Sequence, residues 1–236
     1  MRIFLVPLAA LAMAACISFD FDGNAVRGSG ASATDHRALA TFDRIEVGGA
    51  FDVDVRVGGS PGAVVTGDDN LVPLVETEVR GRTLHIRSDR RLRPTAGLRV
   101  EVTAPALDAL AVSGASEVSA TGVRSSAFQA SVSGSGELVA DGAFGELSCS
   151  VSGSGELTLR GSAETVDASV SGSGEIDLLS VPARKVAVTV SGSGDVGVHA
   201  TERLEARVSG SGDVRYRGTP AMETKVSGSG SVRRAG

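Results

Sequence analysis

The stretch Val132-Ser133-Gly134-Ser135-Gly136-Glu137-Leu138 recurs through the C-terminal half of the chain and decides its fold. Copies begin, in order, at Val112 (a degenerate copy), Val132, Val151, Val170, Val190, Val208 and Val226. Successive copies lie 20, 19, 19, 20, 18 and 18 residues apart. A nearly constant spacing of this size is typical of a solenoid, in which each repeat is one coil that buries its apolar face against its neighbours.

Apolar residues lie at even distances from the leading valine, as Leu138, Leu157 and Ile176 do, and polar residues fill most odd positions. This period of two indicates β-strands with one buried face, and the dense glycine argues against helices. Strands that recur in one direction pair in parallel, and such crossovers are nearly always right-handed. The sequence therefore predicts an all-β fold, a right-handed parallel β-helix (solenoid) with coils of 18–20 residues and about 4.8 Å of rise per coil.

The two glycines of each repeat share the inward side with the apolar columns. We therefore expect stacked glycine columns where the wall of the coil bends and backbones approach closely. A phosphate-binding Gly-x-Gly loop is the alternative, and it is disfavoured because no third glycine, Lys-Ser/Thr pair or following helix accompanies the motif.

The N-terminal residues carry a targeting pattern: Arg2, an apolar run from Ile3 to Ala12, and then Met13-Ala14-Ala15-Cys16. The apolar run is too short to span a membrane. The pattern resembles the bacterial lipoprotein signal, which implies that residues 1–15 are removed, that Cys16 is lipidated, and, with Ile17 rather than Asp next, that the protein is sorted to the outer membrane. An ordinary secretory signal with a stray cysteine is the alternative.

Beyond the signal, we expect residues 16–40 to hold the lipidated cysteine and a flexible tether, because they lack sustained periodicity. Residues 41–236 are assigned to one β-helix domain, with irregular early coils and a cap over 41–110 and the repeats over 111–232. Within the early part, Glu76 to Ser88 is predicted to form a hairpin about Arg80-Gly81.

Two further features concern turns and ends. Asp68-Asp69-Asn70, ahead of Leu71 and Pro73, indicates a turn or the cap of a short helix. At the C-terminus, Arg233 and Arg234 close the chain, and such polar residues are typical of a terminal cap on a solenoid.

The strand-rich stretch from residue 41, followed by Ser-Gly-Ser-Gly-Glu/Asp repeats to residue 232, resembles the head-GIN domain family, the putative auto-transporter adhesin head domain of bacterial surface proteins. This resemblance implies a right-handed β-helix on a lipoprotein or exported protein. It implies no established activity and supplies no catalytic residues.

Acidic side chains occupy one outward column of the predicted coils: Glu117, Glu137, Glu156, Glu175, Asp195 and Asp213. Adjacent coils would hold these carboxylates about 5 Å apart, and carboxylates beside Ser hydroxyls are suited to Ca²⁺. The calcium hypothesis assigns the ligands to Glu137, Glu156, Glu175, Asp195 and Asp213. The favoured alternative is a solvated acidic edge that salt screens and that prevents lateral association.

Two other surfaces are candidates for binding. Serine columns form a hydroxyl face for a glycan or another protein, unless they are merely small, turn-compatible residues; they contain Ser133, Ser152, Ser171, Ser191, Ser209 and Ser227, with a second set from Ser135. Arginines concentrate before the repeats, and we expect either a basic patch for anionic envelope surfaces or a solvated hairpin. The patch contains Arg80, Arg82, Arg87, Arg90, Arg91 and Arg93, with Arg99 nearby.

The remaining chemistry-bearing residues indicate no catalytic site. His36, His85 and His199 lie in unrelated contexts, and Cys149 falls in an apolar column, where it is expected to be a buried hydrophobe. Nucleic acid is not an expected partner, because the predicted location is outside the cytoplasm and no aromatic residues interleave with the basic ones.

The sequence therefore predicts a non-enzymatic cell-envelope lipoprotein, held to the membrane by its lipid. Its β-helix would serve surface binding, adhesion or scaffolding towards an unknown protein or glycan. No cofactor is expected apart from the hypothetical Ca²⁺. The alternative is a polysaccharide-active enzyme of the envelope, which would need a cleft with carboxylates that differ from the ladder around them.

Overall fold

The computed structural model describes residues 25–235, which form strands apart from loops and one short 3-10 helix at Val72–Leu74. The N-terminal strands are β1 (Ala25–Arg27), β2 (Ser32–Ala38), β3 (Arg44–Gly49), β4 (Asp52–Val57), β5 (Gly62–Asp68), β6 (Glu76–Arg80), β7 (Thr83–Arg87), β8 (Arg91–Arg93), β9 (Leu98–Ala104) and β10 (Ala109–Gly114). The repeats form β11 (Glu117–Gly134), β12 (Glu137–Gly153), β13 (Glu156–Gly172), β14 (Glu175–Gly192), β15 (Asp195–Gly210), β16 (Asp213–Arg217), β17 (Ala221–Gly228) and β18 (Ser231–Arg234).

Each long strand wraps around most of one coil and pairs in parallel with the coils before and after it. Leu138 pairs with Leu157, and Leu157 pairs with Ile176, one coil at a time. All three side chains are 0% exposed, so identical positions of the repeat form one continuous apolar column. The predicted all-β solenoid is confirmed, with about seven coils.

The glycine columns are also confirmed. The first glycine of each repeat has a φ between +98° and +126°, a region that L-residues rarely adopt. At Gly172 a Cβ atom would lie 2.5 Å from the carbonyl oxygen of Gly153 in the preceding coil. At the second glycine of the same repeat, Gly174, it would lie 2.4 Å from Cγ1 of Val151. Both glycines therefore permit coil-to-coil contact that any side chain would prevent.

The early strands continue the stack and then end it. β3 pairs in parallel with β10 and with β7, while β4 pairs in parallel with β11 and with β9. Beyond them the pairing becomes antiparallel: β6 lies against β7 as the predicted hairpin, and β5 lies between β9 and β2. This change of direction closes the N-terminal end with strands that cannot start another parallel coil.

Residues 25–38 differ from the predicted tether, because they form β1 and β2. β2 pairs antiparallel with β5 along its whole length, and the Arg37 guanidinium donates to the carbonyl oxygen of Val72 at 3.0 Å. The strand was missed because it is an edge strand with mostly exposed side chains, so backbone bonds hold it where no apolar alternation exists. The predicted signal, Cys16 and the tether up to residue 24 lie outside the described residues.

The turn at Asp68 does not cap the 3-10 helix, whose N-cap is Leu71 without a side-chain bond. The Asp68 carboxylate is instead buried and accepts from the backbone N–H groups of Gly30 at 2.6 Å, Thr95 at 2.9 Å and Ala96 at 3.2 Å. Asn70 extends this clamp, because its side chain accepts from the N–H of Ser29 and donates to the carbonyl of Arg27. The predicted cap is thus a clamp on the N-terminal segment.

We expect Asp68→Asn to lower the melting temperature and to flatten its dependence on acid pH. The N–H of Thr95, with those of Ala96 and Gly30, holds the pKa of Asp68 below its usual 3.8 despite burial. A lowered folded-state pKa means that this stabilisation is complete above pH 3.8 and is lost as pH falls through the lower folded value. Thermal unfolding followed by circular dichroism from pH 7 downwards measures it.

Asp69→Asn is the matched control, because Asp69 is exposed and accepts only the Ser29 hydroxyl. Equal melting temperatures and equal acid sensitivity in the two variants would contradict the clamp.

Other features of the described residues bear on function. Cys149 is 1% exposed in an inward column, and burial raises the pKa of its thiol, so it is an unreactive core residue. At the C-terminal end, Arg233 pairs with Asp213, but β17 leaves Met222 and Val226 each 43% exposed, unlike the predicted polar cap. Within residues 25–235 the structure contains no helix of the length and hydropathy that a bilayer span needs.

Candidate interaction surface

The Ser-Gly-Ser-Gly corner of each coil is held by backbone bonds to the coil before it. The N–H of Ser154 donates to the carbonyl of Gly134 at 2.9 Å, and that of Ser173 donates to Gly153 at 2.8 Å. Two residues later, the N–H of Glu156 donates to Gly136 at 3.0 Å. The hydrogen-bonded ladder therefore continues through the corner, and the side chains on it have fixed, repeating positions.

The serine hydroxyls at this corner point to solvent. Ser133, Ser152 and Ser171 are in register from coil to coil and are exposed, as are the serines two residues further along each repeat. Within the part of the chain that the structure describes, these hydroxyls form no hydrogen bond with protein groups. The predicted hydroxyl face is thus a straight array of donors and acceptors available to a ligand.

The acidic column borders this face and divides into two halves. Glu117, Glu137 and Glu156 are exposed, and Asp52 continues their column towards the N-terminus. In the C-terminal half, protein groups engage the carboxylates: Glu175 binds Arg215 at 2.7 Å, and Asp195 accepts from the N–H of Asp213 at 3.0 Å. Only the N-terminal half therefore presents unbonded carboxylates to solvent.

Asp213, in the C-terminal half of the acidic column, is bonded to residues of the last coil. It accepts the hydroxyl of Ser231 at 2.8 Å and the N–H of Ser231 at 3.0 Å, and it also pairs with Arg233. The Ser231 hydroxyl, the backbone bond and nearby arginines hold the pKa of Asp213 below its ordinary value. This carboxylate joins the last two coils.

The structure brings Glu137, Glu156, Glu175 and Asp195 into one column, as predicted, with Asp213 next along the stack. Within residues 25–235, however, no group of three or more acidic, His or Cys side chains has an arrangement that could hold a metal ion. The calcium site stays a prediction.

That prediction has a direct test. If the column binds Ca²⁺, millimolar CaCl₂ should raise the melting temperature, because a ligand that binds only the folded state stabilises it. The same concentration of MgCl₂ controls for screening, and Glu156→Gln should abolish the rise. No shift in calorimetry would contradict the calcium site.

The predicted basic patch is largely neutralised by neighbouring acids. Its ion pairs are Arg80 with Glu78 at 2.7 Å, Arg87 with Glu76 at 2.9 Å, and Arg82 with Asp43. Arg99 is likewise paired, with Asp54 at 2.9 Å. Arg90, Arg91 and Arg93 are exposed and lie on or beside β8. The patch therefore presents less net positive charge than its composition indicates.

A polar groove of about 740 Å³ on the outer face of β2, β4, β5, β9 and β11 was not predicted. In it the Asp54 carboxylate accepts from Arg99 at 2.9 Å and from the Ser119 hydroxyl at 2.7 Å, and Glu101 and His36 line the same surface. The alternation of Asp52, Asp54 and Arg56 marks an outward face in the sequence. The partners across the sheet could not be read from it, because they depend on long-range register.

Comparison with known proteins places the chain in a family. The family model described as "Putative auto-transporter adhesin, head GIN domain" matches residues 41–220. No curated protein matches the sequence.

Solved structures share the fold. A putative lipid binding protein from Parabacteroides distasonis is similar over 90% of this chain and all of its own, at 27% identity and a TM-score of 0.73. A putative adhesin from Parabacteroides merdae has 26% identity and a TM-score of 0.71 over 90% of this chain and all of its own. A putative adhesin from Bacteroides fragilis has a TM-score of 0.81 over 89% of this chain and all of its own, and at 23% identity it is evidence for the fold alone.

Proposed function

The chain belongs to the family of putative auto-transporter adhesin, head GIN domains, and we propose that it is a non-enzymatic envelope protein whose solenoid binds a surface partner. The observation that carries this proposal is the exposed serine face with its acidic border, repeated at each coil on a hydrogen-bonded backbone. The family description and a structural relative, both named as putative adhesins, support the same role.

A repeating face is suited to a repeating ligand. Hydroxyls about 4.8 Å apart along the stack offer the same weak contact at every coil, and simultaneous contacts raise the overall affinity well above that of any one. An extended envelope glycan or a polar protein surface has the matching chemistry. The rigid ladder also avoids the entropic cost of ordering a flexible binding loop.

The proposed attachment to the membrane rests on the lipoprotein pattern at residues 1–16. We assign acylation to Cys16, which anchors the solenoid to the outer membrane. Intact-mass analysis of protein from native membranes should find an acyl mass on Cys16, and Cys16→Ser should release the protein into the soluble fraction. An unmodified N-terminal cysteine would contradict the anchor.

The binding role is tested with two matched triple variants. Ser133→Gln, Ser152→Gln and Ser171→Gln together change the serine face, whereas Ser126→Gln, Ser162→Gln and Ser180→Gln change exposed serines elsewhere in β11, β13 and β14. We expect the first triple to lower binding of the purified protein to isolated envelopes at least tenfold and the second to leave it unchanged. Equal binding by both would contradict the serine face.

The alternative, a polysaccharide-active enzyme, is tested with the same purified protein. Incubating the purified protein with envelope polysaccharides and analysing the products by chromatography should show no chain cleavage. Turnover that disappears on substitution of Asp54 or Glu101, the carboxylates of the polar groove, would overturn the non-enzymatic assignment.

A further inference from the structure

The C-terminal end of the solenoid exposes positions that are core positions elsewhere. β17 pairs with β15, and Met222, Thr224 and Val226 continue the columns of Leu204, Ala206 and Val208. Those three are at most 2% exposed. Met222 and Val226 are each 43% exposed, and they are the large apolar side chains that stand out as exposed within residues 25–235.

The opposite end differs. There the edge strand β6 carries Glu76 and Glu78, which pair with Arg87 and Arg80. Charged side chains on an edge strand oppose pairing with another chain unless opposite charges meet. Stacking the C-terminal end of one copy on the N-terminal end of the next would place Met222 and Val226 against a strand whose two glutamates are already paired within their own chain.

We propose that β17 pairs antiparallel with β17 of a second copy about a two-fold axis through Thr224. In this register Met222 lies opposite the partner's Val226, Glu223 lies opposite the partner's Lys225, and Thr224 lies opposite itself. Residues directly opposite in an antiparallel pair share one face of the sheet. The apolar pairs therefore fall on the core side, and two Glu–Lys pairs fall on the outside.

Other pairings lack this complementarity. An antiparallel register shifted by one residue places Met222 opposite the partner's Lys225 or Ser227, so that core and solvent faces no longer coincide. Parallel in-register pairing opposes Glu223 with Glu223 and Lys225 with Lys225, and like charges directly opposite are destabilising. Charge and apolar pattern thus select the same symmetric arrangement, which closes as a dimer.

The dimer joins two cores end to end. The two-fold axis crosses the solenoid axis, so the N-terminal ends of the two copies point in opposite directions. One coil end offers a small interface, so we expect a dimer that dissociates on dilution. This inference goes beyond the proposed function and needs neither the lipid anchor nor a ligand.

Sedimentation velocity of the purified Cys16→Ser chain over a wide concentration range provides the test. The wild-type interface should give a concentration-dependent rise from the mass of the monomer towards twice that mass. Lys225→Glu opposes two carboxylates in each of two symmetric contacts and should weaken dimerisation about tenfold or more. Lys225 forms no ion pair within the described residues, so this substitution removes none from the monomer.

The double variant Glu223→Lys/Lys225→Glu exchanges the charges and should restore the dimer, whereas a monomer that is merely damaged would stay monomeric. Glu223→Lys alone also loses the pair with Arg203, so Lys225→Glu is the cleaner single variant. Val226→Lys should abolish dimerisation. Monomers at every concentration, assemblies larger than dimers, or failure of the double variant to recover would each overturn the proposal.

Disulfide trapping tests the register itself. Thr224→Cys places two thiols opposite each other on the axis, within reach of a disulfide, and should give a covalent dimer under mild oxidation. Ser126→Cys, exposed in the middle of the solenoid, is the control and should form no covalent dimer. Cys149 is buried and does not compete. No covalent dimer from Thr224→Cys would contradict the axis.

Discussion

We expect Gly172→Ala to lower the free energy of unfolding by about 2–6 kcal/mol, although it adds a single methyl group. The residue has a φ of +123°, which costs an alanine about 1–3 kcal/mol. The new Cβ would also lie 2.5 Å from the carbonyl oxygen of Gly153, and relieving such overpacking costs about 1–3 kcal/mol more. Urea unfolding of the variant and the wild type measures the difference.

Gly58→Ala separates the two contributions. Gly58 has a similar φ of +111°, but a Cβ there would meet no atom within 4 Å. We therefore expect it to lose only the backbone contribution, about 1–3 kcal/mol. If the two variants were equally destabilised, close approach between coils would not be the reason for the glycine column.

We expect Leu157→Asp to prevent folding at neutral pH. Leu157 is 0% exposed and is paired with Leu138 and Ile176 in the coils on either side. A carboxylate there would be buried without a partner, which is among the largest penalties a single substitution can impose. Leu157→Ala should fold but lose about 2–5 kcal/mol of stability. Circular dichroism and soluble yield distinguish these outcomes.

Ser152→Asp is the control, because Ser152 lies in the preceding coil on the exposed serine face. It adds the same charge where water solvates it, and we expect a change within about 0.5 kcal/mol. A folded Leu157→Asp with wild-type stability would mean that the apolar columns do not hold the coils together.

The fold was predictable because the repeat specifies its own register. Once Leu138 and Leu157 occupy the same place in successive copies, parallel pairing is the arrangement that brings both into one core. The glycines followed from the same reasoning, since Gly134 and Gly153 share a column in which a side chain would meet backbone. The exposed serine face could be predicted from the same register.

The N-terminal part was less predictable because its contacts join segments with unrelated sequences. β2 is held by its pairing with β5, 32 residues away at Thr34 and Thr66, and its side chains show no apolar pattern. Asp68 reaches three backbone N–H groups in two separate loops. A short-range motif identifies such a residue as a turn former and leaves its partners undetermined.

The charged side chains differed in the same way: their positions could be predicted from the sequence, but their partners could not. The arginines between residues 80 and 93 are a cluster in composition, but hairpin pairing places Glu76 directly opposite Arg87. The acidic column was placed correctly, and its C-terminal half is satisfied by Arg215 and by the N–H of Asp213. Surface composition could be read from the sequence, whereas the net charge of a surface required the register.

Distance measurement between spin labels at Ser133→Cys and Ser209→Cys, in the Cys16→Ser chain with Cys149 buried, tests the stacking of the repeats. These positions are joined in register through Ser152, Ser171 and Ser191. Four coil steps of about 4.8 Å place their backbones about 19 Å apart, although 76 residues separate them in the chain. A narrow distance distribution near this value, widened only by the label arms, is the predicted result. A broad distribution, or one centred beyond about twice that distance, would contradict a single stacked solenoid.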